Sequence, residues 1–531
     1  MDEQQQTDEE DAEAKRLREE EEQRLAEERR LEERRRREDA LREELGPFFV
    51  PLPPDEQVEN PHVKAKGIYV TGNSAGLEKR FEELLNLVEA TELNAMVIDI
   101  KNDDGQVTYA SDIEIVREVG ANKRPSIPDI EAVMDKLREK DIYPIGRLVV
   151  FRDPHLPEQR PQWAIQQKGG TGIWRDYKRF GWVNPYEKMV WDYNIAIAKE
   201  AALKGFREIQ FDYVRFPENA AKVDREAEFP GKDGRTKDEA IEQFLTYARE
   251  QLQEYNVHIS ADVFGVISTA WGDQEQIGQN WEKVSPLVDV ISPMIYPSHY
   301  GPGYFGFTVP DANPAGTVNR ALADAVKRNA PLEDPAVIRP WLQSFTATWV
   351  KGYIPYRARE VRQQIDAARE LGIDEFLIWN AANRYFQDAF LAANQVTEPG
   401  NDTQENGLDS LGTTAQMALE NYLEAVKRGN WRDAYVLQST EFSMDHDQYR
   451  AWFESRTGSL SNYEITERTE ELPDKESFLL NLTLTNSAQE LAEEQFEVIL
   501  ENGLWRIRAS QRFLEALTEE PAADTESGES Q

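Results

Sequence analysis

The chain has 531 residues, 40% of them hydrophobic, and sets 61 basic against 99 acidic side chains for a formal charge of −38. That length is too great for one ordinary core and predicts at least two folded units, while the acidity argues against nucleic acid and against anionic membrane surfaces as partners. Cysteine is absent, which excludes disulfides, thiolate metal sites and cysteine nucleophiles.

Residues 1–45 are almost wholly Glu, Arg, Ala, Leu and Gln, good helix formers with many opposite charges at i,i+4 spacing. They predict a charged, solvated helical stalk; Leu17, Leu25, Leu31 and Leu41 are too sparse for a sustained coiled-coil seam. This N-terminus lacks the apolar core of a signal peptide, so either the protein stays inside or its leader is gone. No run of about 18 apolar residues occurs, and no membrane span is expected. A Pro-rich lead-in, 46–63, follows.

From 64 to 395 short apolar strands alternate with helix-period segments. The eight runs are KGIYVTG, AMVIDIK, YPIGRLVV, REIQFDYVRF, HISADVFG, DVISPMIYP, VIRPWLQSF and EFLIWNAA. Eight such βα units predict an α/β fold of the (β/α)8 TIM-barrel class. An open doubly wound sheet is the alternative, but no GxGxxG follows the first strand; TGNSAG there reads as a turn with Ser74 near the helix cap. A polar linker is expected at 396–410. Residues 411–513 change to a helix followed by antiparallel runs, with Asn502-Gly503 as a hairpin signal. They predict a small α+β domain whose pattern resembles the nuclear-transport-factor-two-like cone. The tail, 514–531, is expected to be disordered.

Alternation along the strands sorts residues between the barrel axis and the helix layer. Ile209, Phe211 and Tyr213 suit the helices; Gln210, Asp212 and Val214 would face the axis. The same parity gathers Val97, Asp99 and Lys101 on the second strand and Ser260, Asp262 and Phe264 on the fifth. It also gathers Ser292, Met294 and Tyr296 on the sixth strand and Arg339, Trp341 and Gln343 on the seventh. The polar groups converge on the C-terminal strand ends, where barrel enzymes build their sites. The third strand adds Arg147; Arg215, His299 and Asn380 lie just beyond strand ends and complete the expected substrate contacts with Asp99, Lys101, Tyr296, Trp341 and Gln343.

The connecting loops carry Trp163, Trp174, Trp182, Tyr186 and Tyr300, and rings beside carboxylates suit a sugar, whose C–H face stacks while its hydroxyls hydrogen-bond. Asp212 and Asp262 belong to neighbouring strands about 4.8 Å apart, a spacing that fits the two carboxyl groups of glycoside hydrolysis. The competing reading is structural: Asp212 pairs with Arg147, and Asp99 with Lys101 or Arg147, to neutralise charge inside the barrel. Asp103 and Asp104 read as turn acids; Asp153 and His155 carry little signal. HExxH, EF-hand, Walker and GxSxG patterns are absent and the five histidines do not cluster, so neither a metal nor any cofactor is expected.

Taken in order, KGIYVTGNSAG, VIDIKNDDG, FDYVRFP, SADVFG and ISPMIYPSHY resemble a bacterial family of glycoside-hydrolase-like barrels over roughly residues 64–392. The resemblance implies a TIM barrel, action on a polysaccharide or cell-envelope glycan, and a place at the envelope or outside the cell. Its motif carboxylates fall on Asp99, Asp212 and Asp262. Asp212 is then read as nucleophile or electrostatic stabiliser and Asp262 as the acid, its pKa raised by apolar surroundings and the Asp212 charge. Two alternatives stay open: a carbohydrate-binding barrel without catalysis, and an envelope-assembly protein. In the latter the N-terminal helix or C-terminal domain would mediate self-association or hold a protein partner.

Overall fold

The eight apolar runs become eight parallel strands. They are β1 (Lys66–Val70), β2 (Ala95–Lys101), β3 (Tyr143–Val149), β4 (Glu208–Asp212), β5 (His258–Phe264), β6 (Val290–Ile295), β7 (Val337–Ile338 and Trp341–Gln343) and β8 (Phe376–Trp379). Each pairs with the next, and β8 pairs back onto β1, so the sheet closes into a (β/α)8 barrel. The gap in β7 contains Pro340, which has no N–H to give to a ladder. This computed structural model describes residues 2–270, 272–393, 414–429, 431–439, 446–456, 458–472, 474–485, 490–501 and 504–517. The linker expected at 396–410, Asn502-Gly503 and most of the tail expected at 514–531 lie outside the described residues.

Both faces of the strands are covered, which is why they read as nearly continuous apolar runs. Met96, Ile98, Ile209, Phe211, Ile259 and Val263 pack outward into the large core shared with the helices. A representative helix, Glu78–Glu89, buries Phe81, Leu84, Leu85 and Val88, the i, i+3, i+4, i+7 stripe of an amphipathic segment. The turn before it is capped by Thr71, whose side chain accepts from Ser74 N; Ser74 is thus the donor at that cap rather than the capping residue.

Inside the barrel the side chains stack in layers, as closed barrels of this size require. At the N-terminal end Arg339 donates to both Glu208 oxygens (2.8 and 3.0 Å) and to Glu375 (2.8 Å), and Ser260 Oγ donates to Glu208 (2.6 Å). Above it lie Gln210 and Ser292, 3.4 Å apart. The third layer, at the C-terminal end, holds Asp99, Arg147, Asp212 and Asp262. Glu208, Gln210 and Asp212 of β4 therefore each supply one layer.

The N-terminal helix, Asp2–Leu45, leaves Leu17, Leu25 and Leu31 41–57% exposed. Its last turns are tied down: Arg34 donates to the carbonyls of Leu52 and Pro53, and Arg37 pairs with Glu254 at 2.6 Å. Glu254 precedes β5, so this anchor sits at the N-terminal end of the strands, away from the third layer. The C-terminal segment forms its own core under a four-stranded antiparallel sheet, β9 (Leu460–Leu472), β10 (Lys475–Leu484), β11 (Glu490–Glu501) and β12 (Leu504–Arg508). Glu501 pairs with Leu504 across the last hairpin.

Candidate active site

A cavity of about 470 Å³ opens over the third layer, within the size range of small-molecule sites. Asp212 and Asp262 sit on its floor, and its walls include Tyr213, Tyr296, Trp341 and Trp379. Phe211 and Ala261 are register partners of β4 and β5, so the aspartates that follow them stand side by side at two neighbouring strand ends.

Their surroundings differ. Asp212 Oδ2 accepts from Arg147 Nε (2.9 Å) and Nη2 (2.6 Å), and Oδ1 accepts from Tyr213 N (2.6 Å). Asp262 has no cation in contact; its Oδ1 accepts from Trp341 Nε1 at 2.8 Å. Burial pushes the Asp262 carboxyl well above its usual range, and the neighbouring Asp212 charge pushes it the same way, outweighing Arg147 and the Trp341 hydrogen bond. The pair thus combines one carboxylate locked to a guanidinium with one carboxyl group whose environment favours the protonated form.

Arg147 is the hub. Its side chain is 1% exposed, and besides Asp212 it reaches Asp99 Oδ1 (2.7 Å) and Asp103 Oδ2 (3.2 Å). Those carboxylates hold its pKa well above normal despite the opposing effect of burial. Asp99 lies beneath the cavity, bonded also by Tyr69 Oη (2.7 Å). Burial raises its pKa to about 6 against the opposing pull of Arg147. The pairing expected by the structural reading is present: Arg147 neutralises the layer and also orients Asp212.

Several residues take places that strand alternation did not predict. A register irregularity between Asp99 and Lys101 lets Ile100 and Lys101 both leave the axis. Lys101 is buried in the helix layer, with Nζ 2.7 Å from Asp153 Oδ2 and 3.0 Å from Asn194 Oδ1, and it is not at the cavity. At Tyr213 the backbone turns left-handed (φ 50°), so its ring swings to the cavity wall while Val214 joins the outer core. For a non-glycine residue this conformation costs about 1–2 kcal/mol. Sequence alternation assigned these two residues the opposite way round, because it assumed the strand continued past Asp212.

Gln343 is buried among polymer groups: Nε2 donates to Asp311 (3.1 Å) and to the Phe345 carbonyl (3.0 Å), and Oε1 accepts from Ser298 N (3.1 Å). Asn380 donates to the Ser344 carbonyl. Both brace loops and lie outside the cavity lining, whereas Arg215, Tyr296, His299 and Trp341 belong to it. Arg215 donates to Glu218 (2.8 Å) and packs 4.4 Å from the Phe264 ring centre. Burial lowers the His299 pKa, leaving a neutral imidazole in contact with Ser298 (3.0 Å).

Several lining residues were missed or ranked low. Asp103, read as a turn acid, faces the cavity; burial opposes its ionisation, but Arg147 and Arg152 outweigh that and hold its pKa low. Trp379 stacks on Tyr69 at 4.1 Å, and its signal was its place on the last strand. Glu218 follows the FP of FDYVRFPEN and stands at the rim. Trp163 and Tyr186 pack in the main core, and His155 bonds the Val119 carbonyl (2.7 Å). Among the described residues no group of three His, Asp or Glu side chains is placed to hold a metal. No described helix is long and apolar enough to cross a membrane.

A family model described as "putative glycosyl hydrolase domain" matches residues 67–385, more than half of the chain. Among solved structures, the chain is similar to a hypothetical protein from Ruminiclostridium thermocellum (44% identity over 37% of this chain and 97% of that one, TM-score 0.34). It is also similar to the PgaB (BpsB) glycoside hydrolase domain from Bordetella bronchiseptica (14%, covering 60% and 94%, TM-score 0.43). A third is the spore cortex-lytic enzyme SleL of Bacillus megaterium (14%, covering 64% and 74%, TM-score 0.38). The comparison with curated proteins finds no match.

Proposed function

Because the chain belongs to this glycosyl hydrolase domain family, we propose that its barrel cleaves a polysaccharide or cell-envelope glycan by a two-carboxylate mechanism. One observation carries the reading: Asp212 and Asp262 meet at the floor of one cavity in separate kinds of environment, the first bonded to Arg147 and the second buried against Trp341 with its pKa raised. Such separation is how a pair of like residues divides acid and charge-stabilising roles.

In this scheme Asp262 gives its proton to the glycosidic oxygen as the bond to the anomeric carbon breaks; a water then adds its oxygen to that carbon, and the proton it releases restores the acid. Asp212, on the neighbouring strand, supports the positive charge that develops there, as nucleophile or as electrostatic stabiliser. Arg147 keeps Asp212 oriented without occupying the cavity centre. Trp341 holds Asp262 by one oxygen and leaves the other free to carry the proton. The part-exposed rings of Tyr213 and Trp379 offer surface on which a sugar stacks.

The test is release of reducing ends from a panel of bacterial polysaccharides and peptidoglycan by the parent, Asp212→Asn and Asp262→Asn. Loss of a general acid removes roughly 10²–10⁴ of the rate, and Asp262→Asn should be hurt much less on an aryl glycoside whose leaving group needs no proton. Release that persists in both variants refutes the mechanism. Binding of a glycan without release from any substrate supports a carbohydrate-binding barrel instead.

A further inference from the structure

Next to the main cavity, and sharing Tyr177, Tyr213, Arg215 and Glu218 with it, lies a second cavity of about 130 Å³. In a chain of net charge −38 its lining is unusual, because four cations, Arg152, Lys178, Arg215 and Lys222, converge on it. Arg152 is paired with Asp103 (2.8 Å), which leaves the two lysines, among the described residues, as the cations without an ion pair at the cavity, and the two acids in the lining are engaged. Asp176 accepts from the backbone N–H groups of Lys178 and Phe180 (2.8 and 2.9 Å) and from Trp182 Nε1 (3.2 Å). Glu218 pairs with Arg215 and is 59% exposed, so it can swing out. Arg152 and Arg215 are themselves held over the Tyr213 ring at 5.1 and 4.9 Å.

Trp174, only 6% exposed, lines this cavity, and its Nε1–H is buried without a hydrogen-bond acceptor. A buried donor left unpaired is costly and is normally matched by some acceptor. Cations walled by Trp174, Trp182 and Tyr213 describe a site for an anionic group attached to a ring.

We infer that this second cavity is a subsite for a carboxylate-bearing sugar, so that the glycan is a uronic-acid polymer with one acidic residue beside the scissile linkage. This rests on the proposed glycan-cleaving role of the main cavity. The left-handed turn at Tyr213 then serves both cavities, placing one ring as the partition between them.

The assay is equilibrium binding to the full chain carrying Asp262→Asn, so that the result does not depend on turnover. Polygalacturonate, alginate and hyaluronan are each compared with their carboxyl-reduced forms, with poly(glycerol phosphate) as a phosphodiester control. A charge-assisted contact predicts at least one polyuronate bound roughly tenfold more tightly than its reduced form. Lys178→Gln/Lys222→Gln should erase most of that preference. The reduced polymers should bind this variant as before. Equal binding of both forms, no binding of any polyuronate, tighter binding of the phosphodiester, or unchanged selectivity in the lysine variant overturns the assignment. A preference that holds although no polymer is cleaved by the parent would leave the subsite standing and refute hydrolysis alone.

Discussion

Replacing Asp262 by asparagine tests the protonation on which the mechanism turns, and it does so through stability as well as rate. Asparagine is a neutral near-isostere and can still accept from Trp341 Nε1. In the unfolded chain an aspartate loses its proton near pH 3.9, while in the folded barrel burial and Asp212 keep the Asp262 proton on to well above that range. Between those two values the folded state binds one more proton than the unfolded state. The parent's stability therefore falls by about 1.4 kcal/mol for each pH unit it rises, and the variant escapes that loss. As the pH rises from 5 the variant should gain on the parent until the folded pKa of Asp262 is passed. Urea midpoints followed by tryptophan fluorescence at pH 5, 6 and 7, with a common slope for both proteins, measure the difference directly. A stability difference that stays flat to within a few tenths of a kcal/mol over this range would falsify the claim that Asp262 is protonated when folded, and with it the assignment of Asp262 as the acid.

Arg147→Met should cost about 3–5 kcal/mol near neutral pH, because Asp99, Asp103 and Asp212 lose their shared counter-charge inside the barrel. Without the guanidinium their folded pKa values rise, so the penalty should shrink as the pH is lowered and the carboxylates protonate; denaturation at pH 5 and pH 8 reads this. Lys101→Met should be similarly destabilising, since it strands Asp153 fully buried. It should leave KM unchanged, and Lys101→Met/Asp153→Asn should recover most of the loss; a raised KM would return Lys101 to the binding site. At position 213, the glycine variant should be about 1 kcal/mol more stable than the alanine variant, because only glycine adopts φ 50° freely. Both variants should bind glycan more weakly than the parent. Equal stabilities would mean that the turn relaxes once the ring is gone.

What the sequence determined by itself was the barrel and the end of it at which the cavity opens. Eight apolar runs spaced by helix-period segments are legible because burial on both faces leaves a continuous hydrophobic mark, and Asp212, Asp262, Tyr296 and Trp341 stand out against it as polar or bulky residues of one parity. Asp212 and Asp262 could be paired in advance because adjacent parallel strands in register bring equivalent positions side by side. Tertiary structure alone decided the rest. A single irregularity after Asp99 sent Lys101 into the helix layer, and one left-handed residue reversed the parity of Tyr213 and Val214; neither leaves a mark in composition or period. The role of Arg147 as shared counter-ion, the turn of Asp103 towards the cavity and the bracing by Gln343 and Asn380 depend on loops that meet only when the barrel closes. Alternation is a property of two neighbouring residues and survives in sequence, whereas a charge network is a property of distances between distant segments and exists only in the folded chain.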